Sequence, residues 1–330
     1  MRHPLPTRAP FSFSQSLTFI RRFPPNREEF VIGDDSITAA IAIGHRAVPF
    51  TVRELCPPAG QKAASKGTVP FADLEIDAPD DVPAHEILPR VSAWLGADHD
   101  LAAFYASAQT DRHFQPLVRE LYGLHHVAFM SLAEIAVYCV MMQRAPIAMA
   151  ARMKARFLDR FGLRVKAGER HRCAHGERGE GVRPLHADLV QPADNAGERE
   201  LRAMPELPYL ATLDGDEIGQ AIRHRVKGPK IAAVVRGVAA IGEPFLRTAP
   251  YAEARDALLE IPGVGPFSAG AILLRGLGRM DELPTPEIAA DEAKTIYGRA
   301  YDPAAIAKRY GAHIGYWSFY VKTGVARQSQ

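Results

Sequence analysis

Cysteine and long hydrophobic runs are both scarce in this sequence. The three cysteines, Cys56, Cys139 and Cys173, lie far apart along 330 residues, which excludes a disulfide framework and the close ligand spacing of an iron–sulfur cluster. No stretch approaches the roughly 20 apolar residues of a membrane span. The charged residues after Met1 are not followed by the apolar segment of a secretory signal. We therefore expect a cytoplasmic protein with no membrane partner.

Charge of one sign is not in excess either. Lys and Arg total 40 and Asp and Glu total 38, for a net charge of +2, so any nucleic-acid-binding surface would have to be local. Each of two basic runs, taken by itself, also fits a solvated helix face. They comprise Arg144, Arg152, Lys154, Arg156, Arg160, Arg164, Lys166, Arg170 and Arg172, and then Arg223, Arg225, Lys227 and Lys230.

The N-terminal part of the chain has the pattern of a small antiparallel sheet. Short β-prone runs at residues 29–32, 36–43, 47–55 and 69–76 alternate with turn-forming residues at 33–35 and 44–46. A cluster of turn formers at residues 78–83 precedes a change to helical periodicity. We therefore predict a sheet-rich domain over residues 1–80.

The remainder, residues 81–330, is predicted to be helical, which makes the fold class α+β and mainly α. Apolar residues recur at helical spacing in residues 85–95, 101–108, 129–142, 145–161, 216–223, 228–241 and 251–260. Residues 166–205 break this rhythm, and we interpret them as a surface insertion. Within the insertion, His171, Cys173 and His175 have no nearby fourth ligand, which favours an ordinary loop over a metal site.

A glycine-containing turn between two helical segments carries the functional argument. Pro262-Gly263-Val264-Gly265 follows one amphipathic segment and precedes an apolar one, which predicts helix, hairpin and helix over about residues 251–278. The first amides of the second helix have no intrahelical acceptors and, with the helix dipole, form a site for a DNA phosphate. A purely structural turn between helices is the alternative interpretation.

In this context the chain resembles the helix-hairpin-helix base-excision DNA glycosylases, in particular the bacterial 3-methyladenine glycosylase II type. Residues 143–152 are similar to the start of that family's central helix, and Gly228-Pro229-Lys230 is similar to the segment before its hairpin helices. Residues 313–320 are similar to its closing aromatic helix. The resemblance implies an all-helical glycosylase region after the sheet, and a monomer that binds duplex DNA containing damaged bases.

The resemblance also implies a catalytic acid shortly after the hairpin. Glu287 stands 22 positions after Gly265, where the family has aspartate, and its carboxylate would stabilise the positive charge that develops on the sugar. Asp291, four residues later, is the fallback acid, and Asp281 is a third choice. An acid that merely favours the start of a helix is the alternative role for Glu287.

Further residues take roles from the same resemblance. Phe267, His313 and Tyr316 are assigned to the pocket for the flipped base, with His313 where the family usually has tryptophan, whereas Trp317 and Tyr320 are expected in the core. Gln143 and Arg144 are assigned as the wedge that fills the gap in the duplex. The DNA-binding hairpin is predicted to use Pro262, Gly263, Val264, Gly265, Phe267 and Ser268.

Phe267 also bears on the reaction. The family's strand-cleaving members have a lysine at this position, so the resemblance implies a monofunctional enzyme without a lyase step. No cofactor is expected beyond a monovalent cation at the carbonyls of Leu259, Ile261 and Val264. Two other functions are also compatible with the sequence: a non-catalytic protein that binds damaged or distorted duplex through the hairpin, and a helical interaction scaffold.

Overall fold

The computed structural model describes residues 1–23, 25, 29–55, 72–167 and 199–328. Cys56, the predicted loop at residues 57–67 and the His171, Cys173 and His175 group lie outside these residues. The strands are β1 Arg2–Leu5, β2 Val31–Ile32, β3 Ser36–Ile43, β4 Arg46–Glu54, β5 Leu74–Asp77, β6 Leu163–Lys166 and β7 Glu200–Ala203.

The α-helices of the described residues mostly follow the first five strands in the chain. They are α1 Phe13–Arg22, α2 Ala84–Leu95, α3 Ala102–Gln109, α4 Gln115–Glu120, α5 Leu132–Met142, α6 Ile147–Phe161, α7 Leu207–Leu210, α8 Gly215–Ala221, α9 Lys227–Ile241, α10 Glu243–Thr248, α11 Tyr251–Leu259, α12 Pro266–Ala271, α13 Ala290–Tyr297, α14 Pro303–Tyr310 and α15 Ile314–Gln328. A π-helical turn, Ile272–Gly276, continues α12 directly.

The N-terminal sheet is antiparallel throughout, with the strand order β1-β5-β4-β3-β2. Ile37, Ala39 and Ile41 of β3 alternate along the strand and bury one face of the sheet against α1 and α2. The predicted meander is thus confirmed for β2 to β4. The edge strand β1 and helix α1, whose first turn is capped by Ser12, were not predicted from the sequence.

The opposite face of the sheet is covered by β6 and β7, which pair antiparallel. Strand β6 leads into the segment that we interpreted as an insertion, and β7 lies within it, so the expectation that this segment lacks regular structure is wrong for residues 200–203. Ala40 and Ala42 of β3 share a small core with Leu201 and Ala203 of β7. The β6–β7 pair packs against the sheet because its apolar side chains are removed from water there. Residues 168–198 lie outside the described part of the chain.

The helical predictions are confirmed to within about three residues at each end. Helix α5 is buried along almost its entire length and lies at the centre of a core that includes α6, α9 and α11. A second core joins α3 and α4 to α13–α15. Trp94 of α2 packs against Phe30 and Phe50 near the sheet, so α2 shares the core of the sheet, and the domain boundary after residue 80 stays a prediction.

The fold class is therefore α+β and mainly α, as the sequence predicts. Among the described residues, no helix combines the length and the apolar character needed to cross a bilayer.

Candidate nucleic-acid interface

The predicted helix-hairpin-helix is present between α11 and α12. Helix α11 ends at Leu259 and α12 begins at Pro266, a position that suits proline because the first helical amide needs no acceptor. Gly263 has φ of +94°, a conformation that favours glycine, and the Val264 amide donates to the Ile261 carbonyl at 3.0 Å. The two glycines thus form a tight turn at the head of α12.

One side of the turn packs against the protein core, and the other side is exposed to solvent. The side chains of Ile261 and Val264 are buried, and Ile261 lies so close to Gly237 of α9 that a Cβ added there would stand 2.7 Å away. Pro262 and Gly263 are exposed. The hairpin is therefore fixed by the core while its backbone remains accessible to a partner.

An open groove of about 760 Å³ runs beside the hairpin. Gly263, Gly265 and Phe267 line one part of it, and the basic residues Arg144, His224, Lys227 and Lys230 contribute to the rest. Among the described residues that line this groove there is no carboxylate side chain. Although the protein is nearly neutral overall, its surface next to the turn is therefore positively charged, which suits binding of a phosphate backbone.

Gln143 and Arg144, the predicted wedge, lie next to the hairpin. The Gln143 side-chain amide donates to the Gly263 carbonyl at 2.8 Å and to Ser268 Oγ at 3.2 Å. Arg144 is exposed and has φ of +49°, which is uncommon for a residue with a side chain. The two neighbours therefore differ, because Gln143 is held by the protein whereas Arg144 is open to a ligand.

Lys227 lies at the junction of α9 and α5 and was not singled out from its basic run. Its Nζ donates to the carbonyl oxygens of Val140, Met141 and Gln143 at 2.9, 2.6 and 2.7 Å. Burial lowers the pKa of Lys227, and nearby Lys230 lowers it further. Lys227 is followed by Gly228, which lies against α8. A side chain at position 228 would clash with α8. Only the fold reveals that this lysine is turned inward.

The candidate acids stand outside the lining of this groove. Glu287 is exposed in a turn over residues 286–289, and α13 begins only at Ala290. The expectation that Glu287 begins a helix is therefore wrong, because the backbone here forms turn bonds, with the Ala290 amide donating to the Glu287 carbonyl at 3.0 Å, before the first residue of α13. Asp291, four residues later, lies within α13.

The three candidate acids also differ in their ion-pair partners. The Asp291 carboxylate, 93% exposed, pairs with Lys294 at 3.0 Å. Asp281 pairs with Arg279 at 3.4 Å. Glu287 is the one of the three for which no ion pair is found among the described residues, and its assignment as catalytic acid stays a prediction.

The turn that carries Glu287 is nevertheless tied to the helix after the hairpin. Pro284 contacts Gly270 of α12 so closely that an added Cβ would lie 2.4 Å from the Pro284 Cα. On the other side, Lys322 of α15 donates to the Ile288 carbonyl at 3.0 Å. Residues 284–288 are therefore held between α12 and α15, beyond Phe267 along the helix axis.

The predicted base-pocket residues occupy different environments. Phe267 is 39% exposed in the groove, and His313 is half-buried in the 3₁₀ turn Gly311–His313. Tyr316 is buried and its hydroxyl contacts His99 Nδ1. Its assignment to an open pocket is therefore corrected: Tyr316 packs in the core, since α15 turns that face toward α3.

The other two aromatic side chains of α15 lie in the core as expected. Trp317 Nε1 donates to the Tyr297 hydroxyl at 3.0 Å, and the Tyr320 hydroxyl donates to the Leu124 carbonyl at 2.8 Å. Both rings are almost fully buried, and the hydrogen bonds satisfy their polar atoms.

The cation predicted at the hairpin would be held by backbone carbonyls alone. The Ile261 carbonyl already accepts the Val264 amide, which still leaves one lone pair for an ion. The donor set of Leu259, Ile261 and Val264 is thus compatible with a monovalent cation, and the site stays a prediction. Among the described residues, no group of His, Cys, Asp or Glu side chains is arranged to hold a metal ion.

A helix-hairpin-helix in a mainly helical core, preceded by an antiparallel sheet, is the architecture expected of the base-excision glycosylases. No family model matches the chain. The DNA-3-methyladenine glycosylase of Bacillus subtilis (strain 168) is 21% identical over 205 residues, which are 62% of this chain and 58% of that protein. The match thus spans less than two thirds of this relative.

Solved structures share this fold. A 3-methyladenine DNA glycosylase from Archaeoglobus fulgidus superposes with a TM-score of 0.70 at 15% identity, covering 97% of this chain and 96% of that one. The 8-oxoguanine glycosylase/lyase of Clostridium acetobutylicum, in complex with duplex DNA, gives 0.62 at 12% identity, covering 100% and 98%. The resemblance to helix-hairpin-helix glycosylases is thereby confirmed in sequence and in fold.

Proposed function

We propose that this protein is a monofunctional DNA glycosylase that flips damaged, alkylated bases such as 3-methyladenine out of duplex DNA and removes them by hydrolysis. The observation that carries the proposal is the hairpin turn, with Pro262 and Gly263 exposed, beside a groove lined by basic residues. The names of the relative and of the structural neighbours support a glycosylase.

Binding begins at the backbone of the hairpin. The amides of Phe267 and Ser268 at the start of α12 have no intrahelical acceptor and attract a phosphate oxygen. Lys230 and Arg144 add positive charge from the groove. This combination positions one DNA strand without a strongly basic protein surface.

Arg144 and Phe267 are suited to a flipped nucleotide. The exposed guanidinium of Arg144 would fill the space left in the base stack, and the Phe267 ring offers a flat apolar wall to the extruded base. His313, half-buried at the start of α15, would add a second aromatic surface. Its smaller ring provides weaker stacking than the tryptophan that the family usually has there.

In the chemical step, the bond between the sugar C1′ and the base nitrogen breaks while water attacks C1′. The base leaves with the bonding electron pair, which neutralises the positive charge of an alkylated purine, and the attacking water releases one proton to the bulk solvent. The Glu287 carboxylate stabilises the positive charge on the sugar and orients the water. The products are a free base and an abasic site. No lyase step follows, because Phe267 offers no amine for a Schiff base.

A second candidate is a non-catalytic protein that binds damaged or distorted duplex. The observation that favours it is the position of Glu287 and Asp291 outside the lining of the groove. Both candidates require DNA binding, which distinguishes them from a helical interaction scaffold.

The test is a product assay on methylated duplex DNA. The enzyme is expected to release free methylated base, detected by chromatography, and to leave alkali-labile abasic sites. Glu287→Gln should bind the duplex with unchanged affinity and lose at least about a hundredfold in single-turnover rate, the usual loss of a transition-state electrostatic contact. Borohydride should trap no covalent complex.

Asp291→Asn is the matched control, because it removes one negative charge four residues away. Full activity in Glu287→Gln with loss in Asp291→Asn would move the acid to Asp291. Duplex binding without base release in the wild type would favour the non-catalytic candidate, and absence of DNA binding would contradict both.

A further inference from the structure

Lys227 lines the groove but its ammonium group faces the protein. As the first residue of α9 it is 7% exposed, and its Nζ donates to the carbonyls of Val140, Met141 and Gln143 within 2.9 Å. The last carbonyls of a helix have no intrahelical partner. The Val140 carbonyl also accepts from the Gln143 amide, so the ammonium adds a second donor there and supplies donors to the Met141 and Gln143 carbonyls at the C-terminal end of α5.

These contacts use the full donor capacity of the lysine. An ammonium has three N–H donors and no acceptor, and three carbonyl oxygens occupy them. A phosphate could bind Lys227 only after one of these bonds breaks. Lys230, one helical turn later, is exposed in the same groove and is available to DNA.

The residue that Lys227 holds is also the residue that holds the hairpin. The Gln143 carbonyl accepts from Lys227, while the Gln143 side chain donates to the Gly263 carbonyl and to Ser268 Oγ. A continuous series of hydrogen bonds thus connects α9, the end of α5 and the hairpin. Gln143 is consequently constrained at both its backbone and its side chain.

We propose that Lys227 is a positioning residue: its ammonium fixes the end of α5 so that Gln143 holds the Gly263–Gly265 turn in the shape that receives a DNA strand. The proposal rests on the proposed function for its DNA-binding consequence, but its structural part concerns the free protein. Lys227 contributes to DNA affinity through Gln143 and makes no contact with a phosphate.

The first experiment uses the free protein. Amide hydrogen exchange, followed by mass spectrometry on wild type and Lys227→Met, should show faster exchange in peptides covering residues 140–145 and 261–268, with peptides from β3 and β4 unchanged. Gln143→Leu should accelerate the 261–268 peptides to a similar extent while leaving Lys227 in place. It also keeps the proposal testable if Lys227→Met does not fold.

The second experiment measures the affinity for an undamaged duplex as a function of salt. Lys227→Met should weaken binding about tenfold, as expected for loss of a hydrogen-bonding contact, with the slope of log K against log salt unchanged. Lys230→Met should reduce the steepness of that slope by about 1, because it removes a phosphate contact. Lys308→Met, an exposed lysine of α14, is the control for loss of charge alone.

The double variant distinguishes positioning from a general structural role. If Lys227 acts through Gln143, the double variant Lys227→Met/Gln143→Leu should bind DNA with about the affinity of whichever single variant binds less tightly. Independent effects would instead add, and the double variant would bind more weakly than either single variant. A shallower salt slope in Lys227→Met, additive losses, or unchanged exchange at residues 261–268 would each overturn the proposal. A wild-type protein that binds no DNA would contradict the proposed function while leaving the exchange result to decide the structural part.

Discussion

Gly263 and Gly265 lie two residues apart in the hairpin but have different backbone requirements. Gly263 has φ of +94°, whereas Gly265 has φ of −104° and an added Cβ would meet nothing within 4 Å. Gly263→Ala should therefore lower the free energy of unfolding by about 1–2 kcal/mol, the usual penalty for a left-handed backbone. Thermal or urea unfolding measures this loss.

Gly265→Ala is the matched control for that measurement. It should leave the free energy of unfolding within about 0.5 kcal/mol of wild type and still weaken duplex binding, because a methyl group would stand where the backbone meets the strand. Equal stability losses in both variants would contradict the backbone argument, and unchanged DNA affinity in Gly265→Ala would contradict close approach at this glycine.

His126 predicts a pH dependence of stability. It is fully buried, Arg275 donates to its Nε2 at 2.9 Å, and burial lowers its pKa well below the usual value. The unfolded chain then binds more protons than the folded protein below about pH 6.5, so the free energy of unfolding should fall as the pH drops there, by at most about 1.4 kcal/mol per pH unit for this group.

Urea titrations between pH 7.5 and 5 measure that dependence. His126→Gln, which keeps an acceptor for Arg275 but does not titrate, should flatten the decline, whereas His45→Gln, in the exposed turn between β3 and β4, should not. An identical pH profile in His126→Gln would show that other groups control acid stability.

At the level of helices, a buried carboxylate joins two parts of the helical core. Asp111, between α3 and α4, accepts from the hydroxyls of Tyr297 and Tyr310 at 2.8 and 3.0 Å and pairs with Arg309 at 2.9 Å. Asp111→Ala would leave all three donors without this acceptor. It should cost about 3–5 kcal/mol of unfolding free energy, measured by urea denaturation.

Because α13 follows the turn of Glu287, the same change should also reduce base release if the proposed function holds. Asp73→Ala replaces an exposed aspartate and should change stability by less than about 0.5 kcal/mol. A loss below 1 kcal/mol in Asp111→Ala would mean that the hydroxyls find other acceptors.

For the whole molecule, the net charge of +2 and the small number of cations in the groove predict a weak salt dependence. With phosphate contacts limited to residues such as Arg144 and Lys230, the slope of log K against log salt for duplex binding should be roughly −2 to −4. Fluorescence anisotropy at several salt concentrations measures it. A slope of about −6 or steeper would mean that basic residues outside the groove carry the binding.

The amino-acid sequence alone predicts the elements whose signals are local. Apolar periodicity predicted α2, α5, α6, α9 and α11, and the Pro262–Gly265 turn predicted the hairpin, because helical propensity and backbone freedom act between residues close in the chain. The β3–β4 hairpin was predictable for the same reason. The resemblance to glycosylases also followed from short motifs.

The side chains that face the groove could be identified only from the folded chain. Lys227 belongs to a basic run yet turns inward to α5, and Tyr316 lies in the core although its position along α15 resembled that of a pocket residue. The pairing of β6 with β7 and the turn of Glu287 likewise depend on contacts between residues distant in sequence. A side chain's exposure depends on what packs against it from elsewhere in the chain, and local periodicity predicts which face of a helix is apolar but not which neighbour covers it.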